Sequence, residues 1–229
     1  MQEERKKMTK SSKTLGLAFL FQFVTSLSAG VILKSAWFVP EDMGQTLMNI
    51  AGNPTLFRVH ILFDMLTVVG VLFLGVVLYL QLRKLNEYMA LTALGLYFLE
   101  VVFMGVSKID AFSLLRISQE YVASGMPQSL LSLGTIAYWS MDFGGNTLHM
   151  LAFCFGAILF YSLLYKSGIV PRWLSLWGLV TVFPMLIGTV VQVLGYSIPF
   201  AFYLPYVPFE LVIGIWILVK GIRDPQPPV

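Results

Sequence analysis

His60, Asp64, Glu100, His149 and Glu210, together with the amide Gln192, all lie inside long apolar runs, where ionisable and polar side chains are rare. His60 and Asp64 are four residues apart and share a face if the run is helical. Imidazole nitrogens and carboxylate oxygens are zinc ligands. His60, Asp64 and His149, with Glu100 or Glu210 as a further donor, would hold zinc and leave one position for an activated water, as in a membrane-embedded hydrolase. The same six residues would equally form a site for a small ligand or a proton in transport or sensing. A third reading is structural, with the groups pairing as interhelical hydrogen bonds worth about 1 kcal/mol each. The residue types leave all three open. A haem between His60 and His149 would rest on two lone histidines, a weak pattern.

The elements that must position these groups are membrane helices. Of 229 residues, 57% are hydrophobic and 12% charged, outside the composition of soluble domains. A helix rising about 1.5 Å per residue needs about 20 apolar residues to cross a bilayer core about 30 Å thick. Six segments meet that length: Leu15 to Leu33, Leu56 to Leu82, Tyr88 to Val106, Thr147 to Leu164, Trp173 to Leu194 and Ile198 to Val219. The fold class expected is therefore all-α, a polytopic bundle of six transmembrane helices, over residues 15–222. A basic segment, 1–14, precedes it and a short Pro-rich tail, 223–229, follows. In the loop between the third and fourth spans, FSLLRISQEYV has helical periodicity with charge on one side and is expected as an amphipathic surface segment. The Gly144 to Asn146 run, GGN, reads as a turn followed by a helix cap.

Lys and Arg residues gather beside alternate span ends. Arg5, Lys6, Lys7, Lys10 and Lys13 precede the first span, and Arg83 and Lys84 follow the second. Lys166 and Arg172 lie between the fourth and fifth, and Lys220 and Arg223 follow the sixth. The positive-inside rule makes these regions, and so both termini, cytoplasmic, with the plasma membrane as the location expected. The outer loops hold Lys34, Arg58, Lys108 and Arg116. Cations gathered at span ends are topology signals, not a nucleic-acid face. Trp37, Phe38, Trp139, Trp173 and Trp177 are placed to mark the membrane interfaces. A cleaved signal at Ser26, Ser28 and Ala29 is the competing account of the first span, but the apolar run continues to Leu33, long enough to remain as an anchor. The single cysteine, Cys154, lies in an apolar run and is expected as a packing residue.

Counting along the helices places the polar groups at comparable depths. His60 falls about 6 Å and Asp64 about 12 Å below the outer boundary, with Glu100 and Glu210 near the middle. Five of the six spans thus bring a polar group into the outer half, which predicts an outward-facing pocket in contact with the lipid bilayer around it. Arg58 could reach Asp64 only by folding back along its helix. Pro205 and Pro208 remove backbone donors just before Glu210, so the last span should be kinked or opened there.

The segments LLYKSGIVPRWLSLWGL, Leu163 to Leu179, and PFELVIGIWILVKG, Pro208 to Gly221, resemble the hallmark segments of a family of bacterial multi-span proteins catalogued as domain of unknown function 4386. VVLYLQLRKLNEYMALTALGLYFLE is similar as well. The resemblance implies the same multi-span topology and places Glu100, Arg172 and Glu210 in family-like segments; it implies no reaction. The zinc reading resembles in outline the seven-span ceramidase and adiponectin-receptor hydrolases, yet this chain has two histidines and no HxxxH spacing.

Overall fold

The computed structural model describes residues 2–223, with the side chains of residues 2–9 and of Phe200 left outside the description. The expected Pro-rich tail from Asp224 onward, the N-terminal Met1 and the side chains of Arg5, Lys6 and Lys7 lie outside the described residues.

Eight α-helices form the fold, and there is no strand among the described residues. They are α1 (Gln2–Leu27), α2 (Met43–Gly52), α3 (Pro54–Leu82), α4 (Glu87–Ala123), α5 (Gln128–Asp142), α6 (His149–Ser167), α7 (Arg172–Val193) and α8 (Val207–Lys220). Their ends follow local chemistry. Asn53 caps α3, its side chain accepting from Leu56 N at 3.1 Å, and Pro54 occupies the first turn, where a missing N–H is harmless. Asn86 caps α4 through Met89 N at 3.0 Å, and Gly168 ends α6 in the left-handed region at φ 62°.

Five helical stretches are long and apolar enough to cross a membrane: Lys10–Ala36, Pro54–Leu82, Glu87–Ala123, Gln128–Ser167 and Arg172–Val193. Their outward faces are apolar too. On α3 the exposed residues Leu62, Leu66, Val69, Phe73, Val76 and Leu80 repeat every three or four positions, and α7 does the same with Leu176, Val180, Phe183, Ile187 and Val190. In water such stripes would be solvent-exposed hydrocarbon; they suit lipid.

The membrane bundle has one continuous core, in which Leu15 and Phe19 of α1, Leu78 of α3, Tyr97 of α4, Phe160 and Tyr161 of α6, and Phe209 and Ile213 of α8 are buried. Helix α4 packs on α3 and α6, α1 on α3 and α8, and α6 on α7. Gly16 and Gly214 bring α1 and α8 close: a Cβ on Gly16 would lie 2.7 Å from Leu218, and one on Gly214 2.7 Å from Leu20. At one end of the bundle the backbone N–H of Ile222 donates to Ser12 Oγ at 3.0 Å, Arg223 N–H donates to Ile169 O at 2.9 Å, and Gln81 bonds Ser11. The basic residues counted at the start of α1, after α3, between α6 and α7 and after α8 therefore gather at that same end.

At the opposite end the chain builds a second lobe that the sequence reading did not anticipate. Helix α4, with 37 residues, is about 55 Å long, nearly twice what the hydrocarbon core requires. FSLLRISQEYV is its uninterrupted continuation and not a separate surface segment. The exposed face of α4 changes from apolar to charged beyond Phe112, at Arg116 and Glu120, while Leu114, Leu115 and Ser118 are buried against neighbours. With α2 and α5 it encloses a second core of Trp37, Leu47, Ile50, Phe57, Ala111, Leu114, Tyr121 and Tyr138. Trp37, expected at the membrane interface, is 1% exposed and meets Phe57 edge-on at 4.9 Å, because α2 folds over it. Trp139 and Trp173 are exposed as an interfacial role requires.

Two departures bear on the site. The GGN run forms neither turn nor cap: Phe143–Leu148 is a π-helical turn that joins α5 to α6 without a break. Gly145 is needed for approach, since a Cβ there would lie 2.7 Å from Ser107 Oγ of α4. The stretch expected as a sixth span, Ile198 to Val219, is not one helix, and its helical part, α8, has 14 residues, short of a crossing. Residues 196–199 are irregular, 200–202 a short 3-10 segment and 203–206 a turn, and α8 begins at Val207 with Pro208 in its first turn, so the opening expected before Glu210 is present. Helix α7 continues through Pro184.

Candidate functional site

Between α1, α4, α6, α7 and α8 lies a cavity of about 420 Å³. Glu100, His149, Gln192 and Glu210 all line it. Each is held by a different helix, as their depths along the sequence suggested. Glu210 enters because α8 starts only three residues before it, and its Oε1 accepts from the Tyr206 hydroxyl at 2.8 Å. Tyr206 in turn shares a 2.5 Å hydrogen bond with Tyr161. Gln22 of α1 lies beside the Glu210 carboxylate. Gln192 Oε1 accepts from the Tyr203 hydroxyl at 2.9 Å. Glu100 is 3% exposed, and its Oε1 stands 4.0 Å from His149 Nδ1, too far for a hydrogen bond.

Three buried polar atoms of the residues around this cavity have no partner: Gln22 Oε1, Glu100 Oε2 and His149 Nδ1. A buried acceptor left unmade costs about 1–3 kcal/mol, so their gathering on one cavity is the notable feature of the site. Phe23, Leu27, Met150, Phe153 and Met185 supply apolar wall, and Ser26, Lys34, Asp142, Asn146 and Tyr203 add further polar groups.

His60 and Asp64 do not line this cavity. They border a smaller neighbouring space of about 50 Å³ with Trp37, Lys108, Met141 and Gly145. His60 Nε2 is 3.5 Å from Asp64 Oδ2, and the partner of Asp64 is Lys108 of α4, with which it forms a close ion pair; Arg58 points to the surface. Gly30, Lys34, Asp142 and Asn146 line both spaces and form the partition between them. Lys34 Nζ is 3.2 Å from Asp142 Oδ1, which also accepts from Asn146 Nδ2 at 2.5 Å. The partition rests on two π-helical segments, Ser28–Leu33 extending α1 and Phe143–Leu148 before α6. Such widened turns are frequent at functional sites.

The zinc set is not assembled. His60 and Asp64 fall in one space and His149 in the other, and no group of three His, Cys, Asp or Glu fit to hold a metal occurs among the described residues. Sequence reasoning missed Gln22, Lys34, Lys108, Asp142 and the tyrosines. Gln22 was detectable as the lone amide in the first apolar run. Lys108 lies two turns beyond Glu100, on the side of α4 that faces α3, and the sequence marks it only as a loop cation.

The fold and its apolar outer faces define a multi-pass helical membrane protein. Residues 14–221 match the family model described as domain of unknown function (DUF4386), and the chain belongs to that family. No match was found among curated proteins or among solved structures.

Proposed function

We propose that the protein binds a small ligand in the 420 Å³ cavity, in transport or sensing, as a six-span protein of the plasma membrane with both termini in the cytoplasm and the cavity opening to the other side. The observation that carries this reading is the set of three unpartnered polar atoms, Gln22 Oε1, Glu100 Oε2 and His149 Nδ1, around one cavity. A molecule bound there would supply the hydrogen bonds that the protein does not. The volume falls within the range of about 300–1,000 Å³ occupied by small-molecule sites, and apolar walls with a few convergent polar groups are their usual make-up. The interrupted last span supports the reading, since broken helices near the membrane middle line substrate sites in transporters. The orientation is supported by the basic residues gathered at the end where α1 begins and α8 finishes.

The test uses Ser26, which lines the cavity, changed to Cys in a Cys154→Ser background. Purified protein in lipid nanodiscs is labelled with a small maleimide in the presence of a panel of amines, carboxylates and neutral alcohols. Saturable protection by a panel member is expected; equal labelling with every compound would sink the reading. Stoichiometric zinc in the purified protein, lost in His60→Ala and His149→Ala, would revive the hydrolase reading instead.

A further inference from the structure

We infer that the ligand of this cavity is an organic monocation, an ammonium or amidinium carried on an apolar body; the inference rests on the ligand-binding reading above. The charges around the cavity do not balance. Lys34 and Asp142 neutralise each other at 3.2 Å. That leaves Glu100 and Glu210, two buried carboxyl groups with no Lys or Arg against either among the described residues. Glu210 is supplied with a donor by Tyr206. Glu100 has none at Oε2.

Gln22 adds an independent observation. It is 9% exposed, its side chain lies beside Glu210, and its Oε1 is left as a second acceptor without a donor. Two unfilled acceptors, on α1 and α4, ask for N–H groups, and two uncompensated carboxyl groups ask for positive charge. An ammonium or amidinium supplies both at once. The aromatic rings of Phe153 and Tyr206, edge to face at 5.4 Å, add a surface that attracts a cation.

Other charge classes fit less well. An anion would meet Glu100 and Glu210 with the one lysine of the lining already paired. A neutral molecule would bring no positive charge to either carboxyl group. A bare metal cation would occupy a small part of a 420 Å³ space whose walls include Phe23, Leu27, Met150 and Met185, and would leave that apolar surface against water.

The experiment keeps molecular shape constant and varies charge. Benzylamine, benzyl alcohol and benzoate are each titrated against maleimide labelling of Ser26→Cys in nanodiscs, with and without Glu100→Gln or Glu210→Gln. Benzylamine is expected to protect saturably, at least tenfold more tightly than the other two, and each Gln variant is expected to weaken it at least tenfold. Glu87→Gln, at the start of α4 and far from the cavity, is expected to leave protection unchanged. Melting curves taken on the same samples separate lost binding from lost folding. Should Glu100→Gln unfold, Gln22→Leu takes its place, with a loss of at least threefold expected. Protection by benzoate or benzyl alcohol equal to that by benzylamine would overturn the cation assignment and leave the ligand-binding reading standing. If none of the three protects, the charge class of any protecting compound in the wider panel decides the assignment, and no protection by any compound overturns both.

Discussion

Asp64 shows how a buried charge depends on its neighbour. Its ion pair with Lys108 is mostly buried, both side chains lying within 15% of full burial, so removing the cation leaves a carboxylate facing His60 and little else. Lys108→Ala should therefore cost roughly 3 kcal/mol, whereas Lys108→Met with Asp64→Asn should recover most of the loss. Thermal melts of both variants in nanodiscs measure this, and equal melting of single and double variants would contradict it. The same scale applies to Tyr206, whose hydroxyl serves both Glu210 and Tyr161. Tyr206→Phe should lower stability by about 1–3 kcal/mol, read by the same melts, because the Glu210 carboxylate loses a donor it cannot replace. His60, Asp64, Glu100, His149 and Glu210 stood out in the sequence because charge inside an apolar run is conspicuous. Their partners did not. Lys108 follows an apolar run and looks like a loop cation until α4 is known to continue past it, and tyrosines in apolar runs look like packing.

Among the elements, the π-helical turn at Phe143–Leu148 sets how closely α5 and α6 pass α4. Gly145→Ala would place a methyl 2.7 Å from Ser107 Oγ, so a loss of about 1–3 kcal/mol is expected. Removing the obstructing oxygen with Ser107→Ala should return part of it, a coupling that a double-mutant cycle by thermal melting reads directly. If the two changes were simply additive, the close approach would not be what fixes the turn. GGN was legible only as glycine-rich, and glycine serves turns and close helix contacts alike. The start of α8 was legible, since Pro205 and Pro208 forbid the ordinary helical bond pattern whatever surrounds them. The length of α4 was not, because FSLLRISQEYV satisfies helical periodicity equally as a separate segment and as a continuation.

For the molecule as a whole, the apolar stripes of α3 and α7 and the basic end predict how it sits in a bilayer. Phe73, in the middle of the α3 stripe and exposed, would tolerate Arg in a water-facing helix; in lipid, Phe73→Arg should cost about 2.5–3.5 kcal/mol, seen as reduced insertion or a lowered melt. Cysteines at Lys84 and Met126, again with Cys154→Ser, should react with an impermeant maleimide from opposite faces of sealed vesicles. Labelling of both from one face would refute the proposed topology. The helical membrane class was legible because composition alone excludes a soluble core. The packing was not, since helices apolar on every side carry no stripe that tells lipid from neighbour.

The pairing of α1 with α8 bears on how the molecule is made. These helices lie against each other through Gly16 and Gly214, yet nearly the whole chain separates them in order of synthesis. Until the ribosome has delivered residue 220, α1 has no neighbour on that side, Gln22 has no Glu210 beside it, and the cavity lacks a wall. Biogenesis therefore includes a zipping step that joins α1 to α8 across the intervening helices, and a nascent chain stopped before α8 would hold an open groove for quality control to recognise.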